Sequence, residues 1–162
     1  MEYIDIVDEQ GNPTGEKVER SIAHSQGIRH RTAHIWIVRK VNGRYQVLMQ
    51  KRAMNKESFP GMFDTSSAGH IQAGDEPLES ALREFHEKEF YGKMFRDNEI
   101  AFVYIYSRPV DETKLVLQKE EVETVEWFDL EEAYANCKKR DPRFCAPTGG
   151  IEIVIKELAG RR

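Results

Sequence analysis

Arg83, Glu84 and Glu87 have the types and spacing that point most plainly to chemistry in this chain. At about 100° per residue they fall within an arc of roughly 100° on a helix. Leu78, Ala81, Leu82 and Phe85 fill a similar arc on the opposite side, so one face packs while the carboxylates look outward. Two carboxylates one helical turn apart can hold a hard divalent cation. Mg²⁺ usually takes one or two protein carboxylates together with waters and substrate phosphates. The spacing therefore suggests metal-assisted chemistry on a phosphorylated compound. A solvated helix carries Glu at the same spacing, so the preceding loop matters. Gly69 and Gly74 bracket it, Asp75 can cap the helix, and Pro77 sits in the first turn, where a missing N–H does no harm.

Lys51, Arg52 and Lys56 form a basic group on a strand end and its following loop. Lys supplies a point charge and Arg a bidentate fork, so the three could bind a diphosphate or form a solvated basic face. His70 follows Gly69 and is a candidate for lining the site. His30 and His34 flank a strand, where a lone histidine is more often packed or solvated. Asp97 and Asn98 are turn formers ahead of a strand that begins at Glu99. Glu120 and Glu121 lie in the loop before another strand.

The elements that must position these residues read as follows. Residues 3–7 and 15–18 are two short strands around the turn Gln10-Gly11-Asn12-Pro13. Residues 19–26 are a short helix stopped by Gly27. Residues 33–39 and 45–51 are strands joined through Asn42-Gly43, a strong hairpin signal. Residues 62–67 form a short strand. Residues 99–107 form a long apolar strand, expected to be buried on both faces. Strands at 114–117 and 124–128 follow, then a helix over 130–138. Residues 151–158 read as a helix, with the β-branched run Ile151-Glu-Ile-Val-Ile leaving a strand open. This order fits a mixed sheet with helices on both faces, in one domain over residues 1–162.

Composition narrows the class. The chain has 162 residues, 32% charged and 40% hydrophobic, ordinary values for one globular domain. No apolar run approaches the ~20 residues needed to span a bilayer, and no signal-peptide pattern opens the chain, so a cytoplasmic protein without a membrane partner is expected. Cys137 and Cys145 match no metal-ligand spacing. The net charge of −4 argues against nucleic acid as an electrostatic partner.

Gly69, Asp75, Arg83, Glu84, Phe85 and Glu87 together resemble the Nudix box: Gly, five residues, an acid, seven residues, Arg-Glu, an apolar residue, any residue, Glu. The box departs from the family pattern at Asp75, at Lys88 in place of a further Glu, and at Phe90 where a Gly is expected. The stretches 5–15, 27–36, 50–52 and 58–61 resemble the isopentenyl-diphosphate-isomerase-like branch of that superfamily.

The resemblance implies an α+β fold, the α/β/α sandwich, and Mg²⁺, with Mn²⁺ as the alternative, held by Glu84, Glu87 and the Gly69 carbonyl. It implies Arg83 as the group orienting those carboxylates, and Glu99 or Glu121 as general base or replacement ligand. The expected activity is hydrolysis of a nucleoside diphosphate derivative or other small diphosphate, with Lys51, Arg52, Lys56 and His70 on the substrate side. Two alternatives stay open. One is a non-catalytic ligand-binding module on the same scaffold. The other is isomerisation, where His24, His30 and His70 would join Asp97 and Glu99 around a metal, although Ala68 stands where isomerases carry cysteine. A homodimer is common in the superfamily, but no residue pattern demands one.

Overall fold

The computed structural model describes residues 1–78 and 99–161. The chain forms two compact units, one drawn from Met1–His34 and Ala68–Phe102, the other from Ile35–Ser67 and Val103–Arg162.

In the first unit, strand β1 (Tyr3–Val7) pairs antiparallel with β2 (Pro13–Glu19). The turn between them is set by Asp8, whose carboxylate accepts from the backbone N–H of Gln10 at 2.9 Å and of Asn12 at 2.8 Å. Helix α1 (Arg20–Gln26) buries Arg20, Ala23 and His24, the i, i+3, i+4 stripe of a short amphipathic turn. It stops at Gly27, which takes φ 67°. Ile4, Ala23 and Ile71 lose essentially all exposure and make up this unit's apolar interior.

Strand β3 (His30–Val41) begins in the first unit and ends in the second. It turns through Asn42 (φ 50°) and Gly43 (φ 80°) into β4 (Arg44–Arg52). A two-residue loop with both φ values positive is the turn that Asn-Gly favours. In the second unit β4 pairs antiparallel with β3, with β5 (Phe63–Asp64) and with β8 (Val122–Asp129). Strands β6 (Ser67–His70) and β7 (Glu99–Tyr106) pair with β3. Helices α2 (Leu130–Lys138) and α3 (Thr148–Ala159) complete this unit. Ile151, Val154 and Leu158 of α3 and Leu130, Ala133 and Cys137 of α2 share a core with Trp36, Val38, Val47 and Met49. The described residues thus form a two-stranded and a six-stranded sheet, largely antiparallel, with three helices, the expected α+β class. Among them, no helix is long and apolar enough to cross a membrane.

Three expectations differ from the structure. Residues 114–117 are not a strand: Glu112–Lys114 is a 3₁₀ turn, because Asp111 accepts from the N–H of Thr113 at 3.1 Å and from its hydroxyl at 2.6 Å. The expected strand 62–67 is two strands, broken where the Asp64 side chain accepts from the Thr65 N–H at 2.8 Å. β7 is not buried on both faces, since Ala101 and Tyr106 are exposed and its other residues are half-buried. Its aromatic and β-branched content sets strand propensity without deciding how much of each face is covered.

Candidate metal centre

Four side chains from four segments of the first unit converge. His24 comes from α1, His30 opens β3, His70 ends β6 and Glu99 opens β7. One donor atom from each lies within 4.8 Å of all the others. His24 Nε2 and His70 Nε2 are 2.9 Å apart. Glu99 Oε1 is 3.4 Å from His30 Nε2 and 3.6 Å from His70 Nε2. The His24 ring stands edge-on to the other two, which lets the three nitrogens meet instead of running parallel. The imidazoles are buried, while the Glu99 side chain keeps 21% of its surface.

Hydrogen-bond chemistry shows what this arrangement suits. His30 Nδ1 lies 2.8 Å from the Ile28 carbonyl, which can only accept, so that nitrogen carries the proton. In the neutral ring Nε2 is then a lone pair, and it faces a carboxylate oxygen. Two acceptors in that position repel unless a proton or a cation lies between them. The His24 and His70 Nε2 atoms also cannot both carry protons at 2.9 Å. A backbone carbonyl that fixes the tautomer and aims the other nitrogen inward is the usual outer support of a ligating histidine.

The charges agree. Burial acts most strongly on His24, and positive charge on His70 and His30 adds to it. Glu99 opposes them less strongly, and the imidazole falls from 6.5 to about 4. For Glu99 burial is the largest influence and pushes the carboxyl up. When a proton fills the gap that a cation would otherwise fill, hydrogen bonds from His30 and His70, with their charge, outweigh it and hold the group well below the usual carboxylate range. A neutral His24 and an ionised Glu99 are the states that metal ligation requires. Three imidazole nitrogens with one carboxylate suit a borderline divalent ion such as Zn²⁺ or Mn²⁺ better than Mg²⁺, which favours all-oxygen sites.

The NUDIX domain model matches residues 28–147, well over half of the sequence. The chain belongs to the Nudix family. It is 35% identical over 165 residues to Nudix hydrolase 3 of Arabidopsis thaliana, a match covering 88% of this chain and 21% of the plant protein. It is 32% identical over 149 residues to an uncharacterized Nudix hydrolase of Clostridium acetobutylicum, covering 81% of this chain and 71% of that one. The fold is similar to the NUDIX domain of Shewanella oneidensis NrtR, solved with ADP ribose, at a TM-score of 0.55 and 14% identity over 82% of this chain and 88% of that one. With such relatives the chain is a hydrolase of the Nudix family.

Within the Nudix frame, the box residues Arg83, Glu84 and Glu87 lie outside the described residues, as do Lys88, Phe90 and Asp97. Gly69 lies in β6 beside His70, and Ala68 precedes it, half-buried. The structure brings His70 and Glu99 together with His24 and His30. The other expected site residues lie in the second unit and are engaged with each other or their neighbours. Lys56 Nζ forms a tight ion pair with Glu121. Arg52 donates to the Ser58 carbonyl at 3.1 Å, to its hydroxyl at 3.2 Å and to Asp64 at 3.3 Å. Lys51 Nζ lies 3.4 Å from Glu123. Asp5, half-buried, and Arg31, buried, not singled out from the sequence, form an ion pair in the first unit. No local signal marked Arg31, because the strand was expected to begin only at residue 33, and the structure starts it at His30.

Proposed function

We propose that this Nudix hydrolase cleaves a small diphosphate with the help of divalent metal. Glu84, Glu87 and the Gly69 carbonyl would hold Mg²⁺, and His24, His30, His70 and Glu99 would hold a second, softer ion such as Zn²⁺ or Mn²⁺. The carrying observation is the convergence of three buried imidazoles and Glu99, with one donor atom of each within 4.8 Å of the others. Metal at these positions would neutralise diphosphate charge and lower the pKa of a bound water. Arg83 would be the group that orients the box carboxylates, by a charge-assisted hydrogen bond. Glu99 would serve as a ligand, its carboxylate oxygen lying 3.4 Å from His30 Nε2 and 3.6 Å from His70 Nε2. Glu121 can accept a proton as base once Lys56 turns from it to a phosphate oxygen, so substrate binding and base release would be one event. Arg52, held by Ser58 and Asp64, presents its fork from a fixed position.

A nucleoside diphosphate derivative is the favoured substrate class, supported by the ADP ribose bound to the similar NrtR domain. The test is chromatographic detection of products after incubation with Mg²⁺, Mn²⁺ or Zn²⁺: two phosphomonoesters from ADP ribose and other nucleoside diphosphate derivatives, the corresponding nucleotides from dinucleotides, and the monophosphate with free phosphate from isopentenyl diphosphate. Glu84→Gln and Glu87→Gln should each abolish turnover in a folded chain, and turnover kept by both would remove the box assignment. The second reading is isomerisation of an isoprenoid diphosphate, favoured by the assembly of three histidines with Glu99. Ala68 opposes it, because a methyl group cannot move a proton. Formation of dimethylallyl from isopentenyl diphosphate in the same screen would decide for it.

A further inference from the structure

We propose that Asp5 and Arg31 are positioning residues for the histidine centre, acting by bracing the segment 71–75 that follows His70. Asp5 Oδ2 accepts from Arg31 Nη2 at 3.1 Å and from the Gly74 N–H at 3.0 Å. The same Nη2 donates to the Asp75 carbonyl at 3.2 Å. One carboxylate oxygen and one guanidinium nitrogen thus close a ring around the segment. Its backbone is tied in three further places. Ile71 N–H donates to the Arg31 carbonyl at 3.1 Å, Ala73 N–H donates to the Tyr3 carbonyl at 2.8 Å, and Ile4 bridges Gln72.

The placement of the pair explains why it positions and does not ligate. Successive side chains of a strand point to opposite faces. Arg31 follows His30 directly on β3, so its guanidinium lies on the reverse side from the donor nitrogens. Gly74 follows His70 by four residues and takes φ +87°, a conformation that an L side chain would strain. β6 is only four residues long, and its last residue is the ligand His70. A short strand ending in a ligand needs support just beyond its end if the donor is to stay in register with its partners. The pair supplies that support with charge-assisted bonds at low exposure, 7% for Arg31 and 15% for Asp5.

This inference rests on the reading of the histidine cluster as a metal centre, so the experiment carries two readouts. Zn²⁺ and Mn²⁺ are titrated into the metal-free full chain of wild type, Asp5→Asn, Arg31→Lys and the double variant. Amide hydrogen exchange of residues 71–75 is followed in the same metal-free proteins. We expect at least a tenfold weaker metal affinity in each single variant, no further loss in the double, and faster exchange at Ile71 and Gly74, with far-UV circular dichroism unchanged. Excess Zn²⁺ should restore the turnover of Asp5→Asn, which simple destabilisation of the fold would not allow. Wild-type affinity in the folded variants, or exchange as slow as in wild type, overturns the brace. If Arg31→Lys does not fold, Asp5→Asn decides, since it keeps one acceptor oxygen. If wild type itself binds neither ion, the second metal of the proposed function falls. The brace is then judged on exchange alone, where lost protection supports it and kept protection sinks it.

Discussion

His24 shows how a single buried ring can report on the whole centre. Its folded pKa lies near 4, below the 6.5 of the free side chain. As pH falls from about 6.5, the unfolded chain takes up a proton that the native ring refuses, so stability drops until about pH 4 and then levels for this group. Glu99 acts in the same direction at lower pH. Its folded pKa is depressed below 4.5, so its stabilisation is complete above that value and is lost as pH falls toward the folded one. The urea midpoint of the metal-free protein should therefore fall steadily from pH 7 to pH 4. His24→Gln should flatten the upper part of that fall. An unchanged slope in the variant would place the effect on another group. Of the four donors, the sequence marks His70 by its neighbour Gly69 and Glu99 by its place at a strand start. His24 and His30 enter only through resemblance to isomerases, because a helix and a strand six residues apart show no spacing rule that predicts their convergence. The Lys56–Glu121 pair was equally hidden, since nothing local joins residues 65 positions apart.

The elements were legible where local chemistry and packing agree. Helix α2 spans the expected 130–138 because Asp129 caps it, accepting from the N–H groups of Glu131 and Glu132 at 3.1 Å. The hairpin at Asn42-Gly43 was legible for a similar reason. The run Ile151-Glu-Ile-Val-Ile was ambiguous, since β-branched residues suit strands. Tertiary packing settles it: Ile151, Val154 and Leu158 fall on one helical stripe and bury against Trp36, Val47 and Met49. A strand would place Ile151, Ile153 and Ile155 together, but Ile153 is 51% exposed. Ile151 is wholly buried, so Ile151→Ala should cost about 2–5 kcal/mol in chemical denaturation, transfer and cavity together. Ile153→Ala on the same helix should cost under about 1 kcal/mol. Equal losses at the two positions would mean that the α3 face is wrongly assigned. The 3₁₀ turn at Glu112–Lys114 was illegible because an Asp side chain there competes with the strand ladder for backbone donors.

At the scale of the molecule, family and fold were readable because several motifs recur in the right order, while the division into two contact units was not. β3 and β7 each begin in one unit and end in the other, with no linker between. Each strand's backbone groups need partners along its whole length, so half of a strand cannot be released without fraying the other half. One cooperative unfolding transition is therefore expected. Metal binding tests this directly, because all four histidine-centre donors belong to one unit. An ion that binds only the folded state stabilises by about 2.7 kcal/mol at one hundred times its dissociation constant. For a domain of this size that is a rise of roughly 5–10 °C in midpoint. Zn²⁺ should move the entire calorimetric transition by that amount, and a chelator should return it. A scan that splits into two transitions, with only one responding to Zn²⁺, would separate the units and confine the metal's influence to the part of the chain that holds it.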